Sequence, residues 1–420
     1  MEEMCGWMQY VTQMCSLPLR RRSKVMVGNS RPISFARTIY SQSASTMSGR
    51  QRYALVLSLA LVGILVVSYQ TNTMAIADDR IASAFVETKF GFQQDLRSLS
   101  MPKIDLKSFK THNPHRLVLN SSSPQDTFAT FLCTRNGSLY DPYFAASLNL
   151  VYRNLWDPVI ASKTRPFTIF VAPFVAQEQR DILAGAGAVI QELPLVLWEP
   201  TKPGIWGRWR DQFSKLHFWY QTQYSRIVFM DSDAFPLANI DDVFDQVEEQ
   251  KCNPSRMTLE DWAQPEKDGW CEFVFAGVPD FGGGVNGGFL VIKPNRAIHQ
   301  RLLREYLKVD EYDSSFAEQS FFKWHFAQDG PFPARMLPRK YNAYFPNAKD
   351  EGKVSIVHEK LWAFNDKRGS WLNHIWEDGW MQMIEFFDSP GFIQARERDG
   401  EMNSVIDVLP SVVAQAVKQI

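Results

Sequence analysis

The stretch from Arg226 to Phe244 constrains the fold of this chain more than any other part of the sequence. Its apolar run, 227–230, ends directly at two carboxylates one residue apart, Asp231 and Asp233. Such a run is typical of a strand buried on both faces of an α/β sheet. Ligands of open α/β sheets bind beyond the carboxyl ends of the strands, where these two carboxylates emerge. Residues i and i+2 of an extended segment share one side, so both can face one hard cation, although an Asp-rich turn is the simpler alternative.

Upstream of that stretch, the apolar pattern alternates between the periods of strands and helices. Strands are expected at 127–132, 167–171 and 189–193, with helices at about 143–153 and 177–183. A helix that carries Lys215 then leads into the strand that ends at Asp231. Because strands that alternate with helices usually pair in parallel, we predict a mostly parallel, doubly wound α/β sheet.

Four blocks of the sequence resemble the family 8 glycosyltransferases, to which glycogenin belongs. In chain order they are 215–245, 286–295, 318–319 and 357–362. They contain, in turn, the Asp-Ser-Asp triplet, an Asn-Gly-Gly strand, a Glu-Gln pair and a closing motif of His, Lys and Trp. The resemblance extends over roughly residues 127–365 and implies a GT-A type fold, the α/β fold of nucleotide-diphospho-sugar transferases.

This resemblance implies a retaining glycosyltransferase that moves a hexose-type sugar from a UDP-sugar to a glycan, glycolipid or glycoprotein acceptor. Two other classes stay open, a non-catalytic carbohydrate-binding relic of the same fold and an aspartate-nucleophile phosphatase. A non-catalytic relic would be expected to lose its metal ligands first, and this chain keeps both carboxylates and the His of the closing motif. The phosphatases usually carry a Gly-Asp-x-x-x-Asp motif, which does not occur in the sequence.

A divalent cation is expected beside the two carboxylates, because the diphosphate of a nucleotide-sugar gains charge as it leaves. We expect Asp231 and Asp233 to be ligands, and the resemblance adds His358, which follows another apolar run. Oxygen-rich ligation with one imidazole favours Mn²⁺ or Mg²⁺ over a structural zinc ion.

The resemblance assigns further residues to the donor site. Those expected to bind the nucleotide-sugar are Leu132, Thr134, Tyr143, Lys215, Ser232, Gly287, Gly288 and Lys360. Those expected at the reacting carbon are Glu318, Gln319 and Asn286. The two lysines are candidates for the diphosphate, but Lys360 lies closer to the preceding His than in glycogenin, and Leu361 replaces the usual Pro. We therefore expect Lys215 to contribute more than Lys360.

An apolar, uncharged segment at 53–69 is predicted to be a transmembrane anchor, since 17 helical residues just span a thin bilayer. Residues 4–77 contain eight basic and no acidic residues, and all eight precede the segment. The positive-inside rule then predicts a single-pass type II protein with its catalytic domain in the lumen of the Golgi or endoplasmic reticulum. A cleaved signal peptide and a mitochondrial transit peptide are the alternatives, and Met47 is an alternative start.

The remaining organisation follows from composition. We predict a basic cytosolic tail at 1–52, the anchor at 53–69, a stem at 70–123, a glycosyltransferase domain at 124–388 and a C-terminal tail at 389–420. From Asp78 onward the chain has 44 acidic and 37 basic residues. This sign is opposite to that of a phosphate-backbone binder, so no nucleic-acid partner is expected.

Three of the five cysteines would be luminal, and Cys252 and Cys271 flank a polar insertion that a disulfide can close in an oxidising compartment. Glycosylation sequons begin at Asn120 and Asn136. The second sequon lies beside the expected nucleotide site, so we predict that it is not used.

Overall fold

The computed structural model of the protein describes residues 91–118, 121–196, 207–364 and 367–401. All of these residues belong to one compact unit, Val86–Ile420. Within the described ranges, no helix has the length and apolarity needed to cross a membrane. The anchor predicted at 53–69 and the last part of the predicted C-terminal tail, from residue 402 onward, lie outside the described residues.

The described part of the chain is a mixed α/β structure. Its strands are β1 Gln125–Leu132, β2 Phe167–Val171, β3 Val189–Glu192, β4 Tyr224–Met230, β5 Ala234–Pro236, β6 Gln250–Lys251, β7 Glu272–Phe273, β8 Phe275–Pro279, β9 Val285–Ile292, β10 Arg335–Met336, β11 Ala343–Tyr344 and β12 Ile356–His358. Its α-helices are α1 Pro142–Leu155, α2 Gln177–Gly185, α3 Val243–Gln246, α4 Leu259–Trp262, α5 Arg296–Glu305, α6 Ala317–His325, α7 Ile375–Phe387 and α8 Pro390–Glu401. Lys215 lies in a 3-10 helical segment, Gly207–Tyr220, where an ordinary helix was expected.

Seven strands form the main sheet in the order β10-β8-β9-β4-β1-β2-β3. The pairs β1–β2, β2–β3, β1–β4 and β8–β10 are parallel, whereas β9 runs antiparallel to both β4 and β8. The mostly parallel sheet predicted from the alternating pattern is therefore confirmed, with a single reversed strand. Both faces of the central strands are covered, and Ile227, Phe229 and Met230 of β4 are fully buried.

Helix α1 begins sharply because Asp141 caps it, accepting hydrogen bonds from the backbone N–H groups of Tyr143 and Phe144, and Pro142 occupies its first turn. Almost the whole helix is buried, because it lies against β1 and β2 on one side and against α7 on the other. Its amino end therefore stands beside the carboxyl end of β1.

A second, small sheet brings a distant segment to the end of β4. Its order is β11-β12-β5, with β12 antiparallel to β5 and His358 opposite Ala234. Because β5 follows β4 after a turn of three residues, this pairing brings His358 to the same turn as Asp231 and Asp233.

Two segments that we expected to lie outside the domain pack onto it. Residues before 124 supply the buried side chains of Leu106 and Phe109, although they were predicted to be stem. Helix α8, predicted to be tail, buries Phe392 and the whole side chain of Arg396. Arg396 donates hydrogen bonds to the backbone oxygens of Gly185 and Asn113, which ties the two segments to α2.

The insertion between β6 and β7 is closed by a disulfide. Cys252 and Cys271 are bonded, with their Cα atoms 4.5 Å apart. The loop that they close also packs inward, since the indole of Trp270 is fully buried and donates to the backbone oxygen of Ala297.

Candidate active site

The order of the strands creates the crevice in which the candidate site lies. The chain proceeds from β1 outward to β2 and β3, and then returns to place β4 on the other side of β1. The connections after β1 and β4 thus leave in opposite directions, which opens a crevice beyond the carboxyl ends of these two strands. Leu132 ends β1 and Met230 ends β4, so the residues that follow them face this crevice.

Asp231, Asp233 and His358 form a triad at this place, with one possible ligand atom of each lying within 4.8 Å of the others. The imidazole Nε2 of His358 is 3.2 Å from Oδ1 of Asp233 and 3.9 Å from Oδ2 of Asp231. Backbone hydrogen bonds fix the turn that carries Asp231 and Asp233. The N–H of Asp231 donates to the backbone oxygen of Gly288, and the N–H of Ala234 donates to the backbone oxygen of Asp231. Two carboxylates and one imidazole suit a hard divalent cation such as Mn²⁺ or Mg²⁺.

Two neighbouring basic groups keep Asp233 charged. Burial by itself would raise the pKa of this carboxyl, but Lys360 and His358 outweigh the burial and hold the pKa well below its usual range. The ammonium group of Lys360 donates to Oδ2 of Asp233 at 2.7 Å. For His358, burial lowers the pKa, but Asp233 and Asp231 raise it above its ordinary value.

Lys215 joins the triad to Glu318. Its side chain is only 2% exposed, and its ammonium group lies 2.9 Å from Oδ1 of Asp231 and 2.9 Å from Oε1 of Glu318. Burial opposes the charge of Lys215, but Asp231 and Glu318 outweigh it and raise its pKa. Burial also raises the pKa of Glu318, against the attraction of Lys215. Glu318 thus pairs with Lys215 and holds its ammonium group next to Asp231.

The backbone before Glu318 is strained. Ala317 has a φ of 51°, in the left-handed region that residues with a side chain rarely adopt. Such strain persists where the surrounding structure fixes a conformation, and it is concentrated at functional sites. Here it turns the start of α6 so that Glu318 and Gln319 both reach the site.

Strand β9 contributes a glycine that the triad of Asp231, Asp233 and His358 requires. A Cβ on Gly288 would lie 2.0 Å from Cε1 of His358, so any side chain there would displace the imidazole. At Gly287 an added Cβ would lie 3.4 Å from the nearest atoms, which belong to Gln319. The two predicted glycine positions therefore differ: Gly288 makes room for His358, and Gly287 lies against α6.

Next to these glycines, amide groups converge on one carboxylate that the sequence analysis missed, Asp280. Gln319 donates to Asp280 at 3.1 Å and Asn286 donates to it at 3.3 Å. Gln319 also accepts from the N–H of Gly287 at 2.8 Å, and Asn286 accepts from Asn342 at 2.9 Å. Asp280 directly follows the apolar strand β8, which runs parallel to β4, and this was the signal that could have revealed it.

Three of the remaining predicted residues, Leu132, Thr134 and Tyr143, lie at or after the end of β1. The hydroxyl of Thr134 donates to Asp141 at 3.1 Å, and Tyr143 lies in the first turn of α1 with its ring 5.6 Å from that of Trp362. Leu132 is buried, so its side chain belongs to the core rather than to an open surface. Ser232, between the two carboxylates, lines a small cavity with Asp233 and Glu359.

Asn136 of the second sequon is engaged in this part of the site. Its side-chain amide donates to Asp95 at 2.7 Å, and its backbone oxygen accepts from Gln179 at 2.9 Å. A glycan on this amide nitrogen would replace one of its two N–H groups beside Asp95. Asn120 of the first sequon lies outside the described residues.

No protein-family model matches the chain. Galactinol synthase 6 of Arabidopsis thaliana is 25% identical over 237 residues, which cover 48% of this chain and 65% of that protein. Galactinol synthase 5 of the same plant is 27% identical over 228 residues, 48% of this chain and 66% of that protein. The chain therefore spans somewhat less than two thirds of the length of these curated relatives.

Among solved structures, the glycosyltransferase GlyE of Streptococcus pneumoniae TIGR4 aligns with 63% of this chain and 64% of its own, at 14% identity and a TM-score of 0.40. A TM-score of this size does not by itself establish a shared fold. The sequence relatives support the assignment of this chain as a glycosyltransferase.

Proposed function

We propose that the protein is a metal-dependent, retaining glycosyltransferase that transfers a hexose-type sugar from a UDP-sugar to a carbohydrate-bearing acceptor. One observation carries the proposal: Asp231, Asp233 and His358 converge at the topological switch point of the sheet, with a lysine on each carboxylate. A partly buried triad of two carboxylates and one imidazole, flanked by lysines, is suited to a substrate that brings both a divalent cation and a diphosphate. The glycosyltransferase relatives support the same class of reaction.

In this proposal, Asp231, Asp233 and His358 hold Mn²⁺ or Mg²⁺. Their donor set of two carboxylates and one imidazole fits such an ion. The ion, when bound, supplies Lewis-acid stabilisation of the diphosphate leaving group. The chain's own cations add to this, because Lys215 lies within hydrogen-bond distance of Asp231 and Lys360 within hydrogen-bond distance of Asp233.

The sugar is proposed to lie against Asp280, Asn286 and Gln319. These side chains are linked by hydrogen bonds, so their polar atoms are fixed before a ligand arrives. The amide and carboxylate groups can bind sugar hydroxyls, and the missing side chains at Gly287 and Gly288 allow close approach. Glu318 orients Lys215 in this arrangement.

The uridine is proposed to lie beyond the end of β1, between Thr134 and Tyr143. The hydroxyl of Thr134 and the ring of Tyr143 are a polar and an aromatic group on one side of the crevice. Ser232 lies between the two metal-binding carboxylates, where its backbone and hydroxyl are near the proposed diphosphate.

The proposed compartment is the lumen of the Golgi or endoplasmic reticulum, with residues 53–69 as a type II anchor. The basic residues before that segment support the orientation. The bonded cysteines Cys252 and Cys271 support an oxidising compartment.

The test is a screen of UDP-sugars for Mn²⁺-dependent hydrolysis and UDP binding by the full-length protein, compared with Asp233→Asn. This variant should retain the fold and lose turnover, because one carboxylate of the triad becomes neutral. Asp329→Asn is the matched control, since Asp329 is exposed on a loop far along the chain from the triad. Full turnover in Asp233→Asn would refute the metal-site assignment. UDP binding without turnover of any donor would favour the non-catalytic relic, and hydrolysis of simple phosphate esters would favour the phosphatase.

A further inference from the structure

A short segment before β1 contacts both loops of the proposed nucleotide site. This leading segment, Gly91–Leu96, begins with a 3-10 turn at Gly91–Gln93. On one side, Asp95 accepts a hydrogen bond of 2.7 Å from the amide of Asn136, and the N–H of Leu96 donates to the backbone oxygen of Tyr140 at 2.8 Å. Both partners belong to the loop between β1 and α1, which also carries Thr134.

On its other side, the leading segment contacts the loop after β12. The indole of Trp362 donates to the backbone oxygen of Phe92 at 2.8 Å. The ammonium group of Lys360 lies 5.2 Å from the centre of the Phe92 ring, within the range of a cation–π contact. One segment of six residues thus contacts the two loops that bound the crevice.

These contacts lead to proposed donor-binding groups through one further residue each. The N–H of Asn136 donates to the hydroxyl oxygen of Thr134 at 3.1 Å, so Asp95 acts on Thr134 through Asn136. Trp362 meets the ring of Tyr143 edge to face, so Phe92 acts on Tyr143 through Trp362.

We propose that the leading segment is a part of the donor site, in which Asp95 and Phe92 are positioning residues for the nucleoside diphosphate. Asp95 fixes the loop that carries Thr134. Phe92 fixes Trp362, and its ring packs against the ammonium group of Lys360. This contact keeps Lys360 at the crevice and out of the bulk solvent. Together they set the distance between the two loops and hence the affinity for the nucleotide. This inference rests on the proposed function.

The chain that follows the leading segment has anchors of its own, so Asp95 and Phe92 can be tested without undocking it. The backbone oxygen of Ser100 accepts from Trp380 at 2.8 Å, and the N–H groups of Lys103 and Ile104 donate to Asp388 at 2.8 and 3.0 Å. Substitution of Asp95 or Phe92 leaves these bonds in place. The chain around residue 100 should therefore stay docked while the contacts to the two loops are lost.

The experiment compares Asp95→Ala, Asp95→Asn and Phe92→Ala with wild type in the full-length protein. Two quantities are measured, the Kd for UDP at saturating Mn²⁺ by calorimetry, and kcat and KM for hydrolysis of the best UDP-sugar. Asp95→Ala should raise the Kd and the KM on the order of tenfold, the effect of one lost hydrogen bond to a charged group, while kcat changes little. Asp95→Asn should restore most of the affinity, because its amide oxygen can still accept from Asn136.

Phe92→Ala should also raise the Kd, since Lys360 loses the ring against which it lies. Gln94→Ala is the matched control, because Gln94 is exposed in the same turn and should leave the Kd unchanged. If wild type binds UDP and both Asp95→Ala and Phe92→Ala bind it equally well, the inference fails and the proposed function stands. If wild type itself does not bind UDP with Mn²⁺, the proposed function fails and this inference fails with it.

Discussion

The substitution Gly288→Ala tests whether His358 belongs to the proposed metal triad, because the added methyl group would affect His358 only through a steric clash. The added Cβ would lie 2.0 Å from Cε1, 2.6 Å from Nδ1 and 3.0 Å from Nε2 of the imidazole. Ordinary van der Waals contact begins at 3.4 Å, so the ring must move by more than 1 Å. The 3.2 Å contact between His358 Nε2 and Asp233 cannot survive such a shift. Gly288 itself needs no left-handed backbone, so the change does not strain the main chain.

A misplacement of about 1 Å in a catalytic arrangement costs roughly 10²-fold in rate. We therefore expect Gly288→Ala to lower turnover by about that factor and to weaken Mn²⁺ binding, measured by calorimetry in the presence of UDP. Gly287→Ala is the matched control, because its Cβ would meet Gln319 at 3.4 Å and not the imidazole. It should keep its affinity for Mn²⁺. Equal Mn²⁺ affinity and turnover in Gly288→Ala and wild type would refute the assignment of His358 as a ligand.

Three further predictions concern the lysines, the disulfide and the topology. Lys215→Ala should lower turnover on the order of 10²-fold, more than Lys360→Ala, since the side chain of Lys215 is 2% exposed and that of Lys360 is 26% exposed. Turnover is measured at saturating Mn²⁺, with Lys163→Ala as the control. A larger loss for Lys360→Ala would reverse the ranking. Reduction of the Cys252–Cys271 bond, which closes a loop of sequence separation 19, should lower the free energy of unfolding by about 3 kcal/mol, so an unchanged denaturation curve after reduction would count against a structural role. In sealed microsomes, added protease should remove only the basic N-terminal tail, and digestion of the catalytic part would contradict the type II orientation.

The central features of the fold could be predicted from the sequence because local patterns specify them. The apolar residues of β4 and the carboxylates that follow it are contiguous, so the strand and the position of Asp231 and Asp233 follow from periodicity alone. The alternation of strands and helices likewise predicts the parallel part of the sheet. The disulfide between Cys252 and Cys271 was recognised only as a possibility, because the approach of two Cα atoms cannot be derived from spacing.

Other site residues depend on pairings between distant parts of the chain. His358 reaches the triad through the pairing of β12 with β5, two short strands more than a hundred residues apart, and only the family resemblance indicated it. The leading segment was assigned to the stem because it lacks apolar periodicity. Its attachment depends on single hydrogen bonds to remote partners, such as that of Asp95 with Asn136, which no local pattern can reveal.

The reversal of one strand explains why the proposed metal-binding and sugar-binding residues are neighbours. Strand β9 runs antiparallel to β4, with Met230 opposite Phe289. Its beginning, Asn286 to Gly288, therefore meets the carboxyl end of β4, and the N–H of Asp231 binds the backbone oxygen of Gly288 at 2.9 Å. A parallel strand in the same place would carry its first residues to the opposite edge of the sheet, roughly 20 Å away for a strand of this length. The direction of β9 thus places the backbone of Gly287 and Gly288, in the proposed sugar site, against the carboxylates.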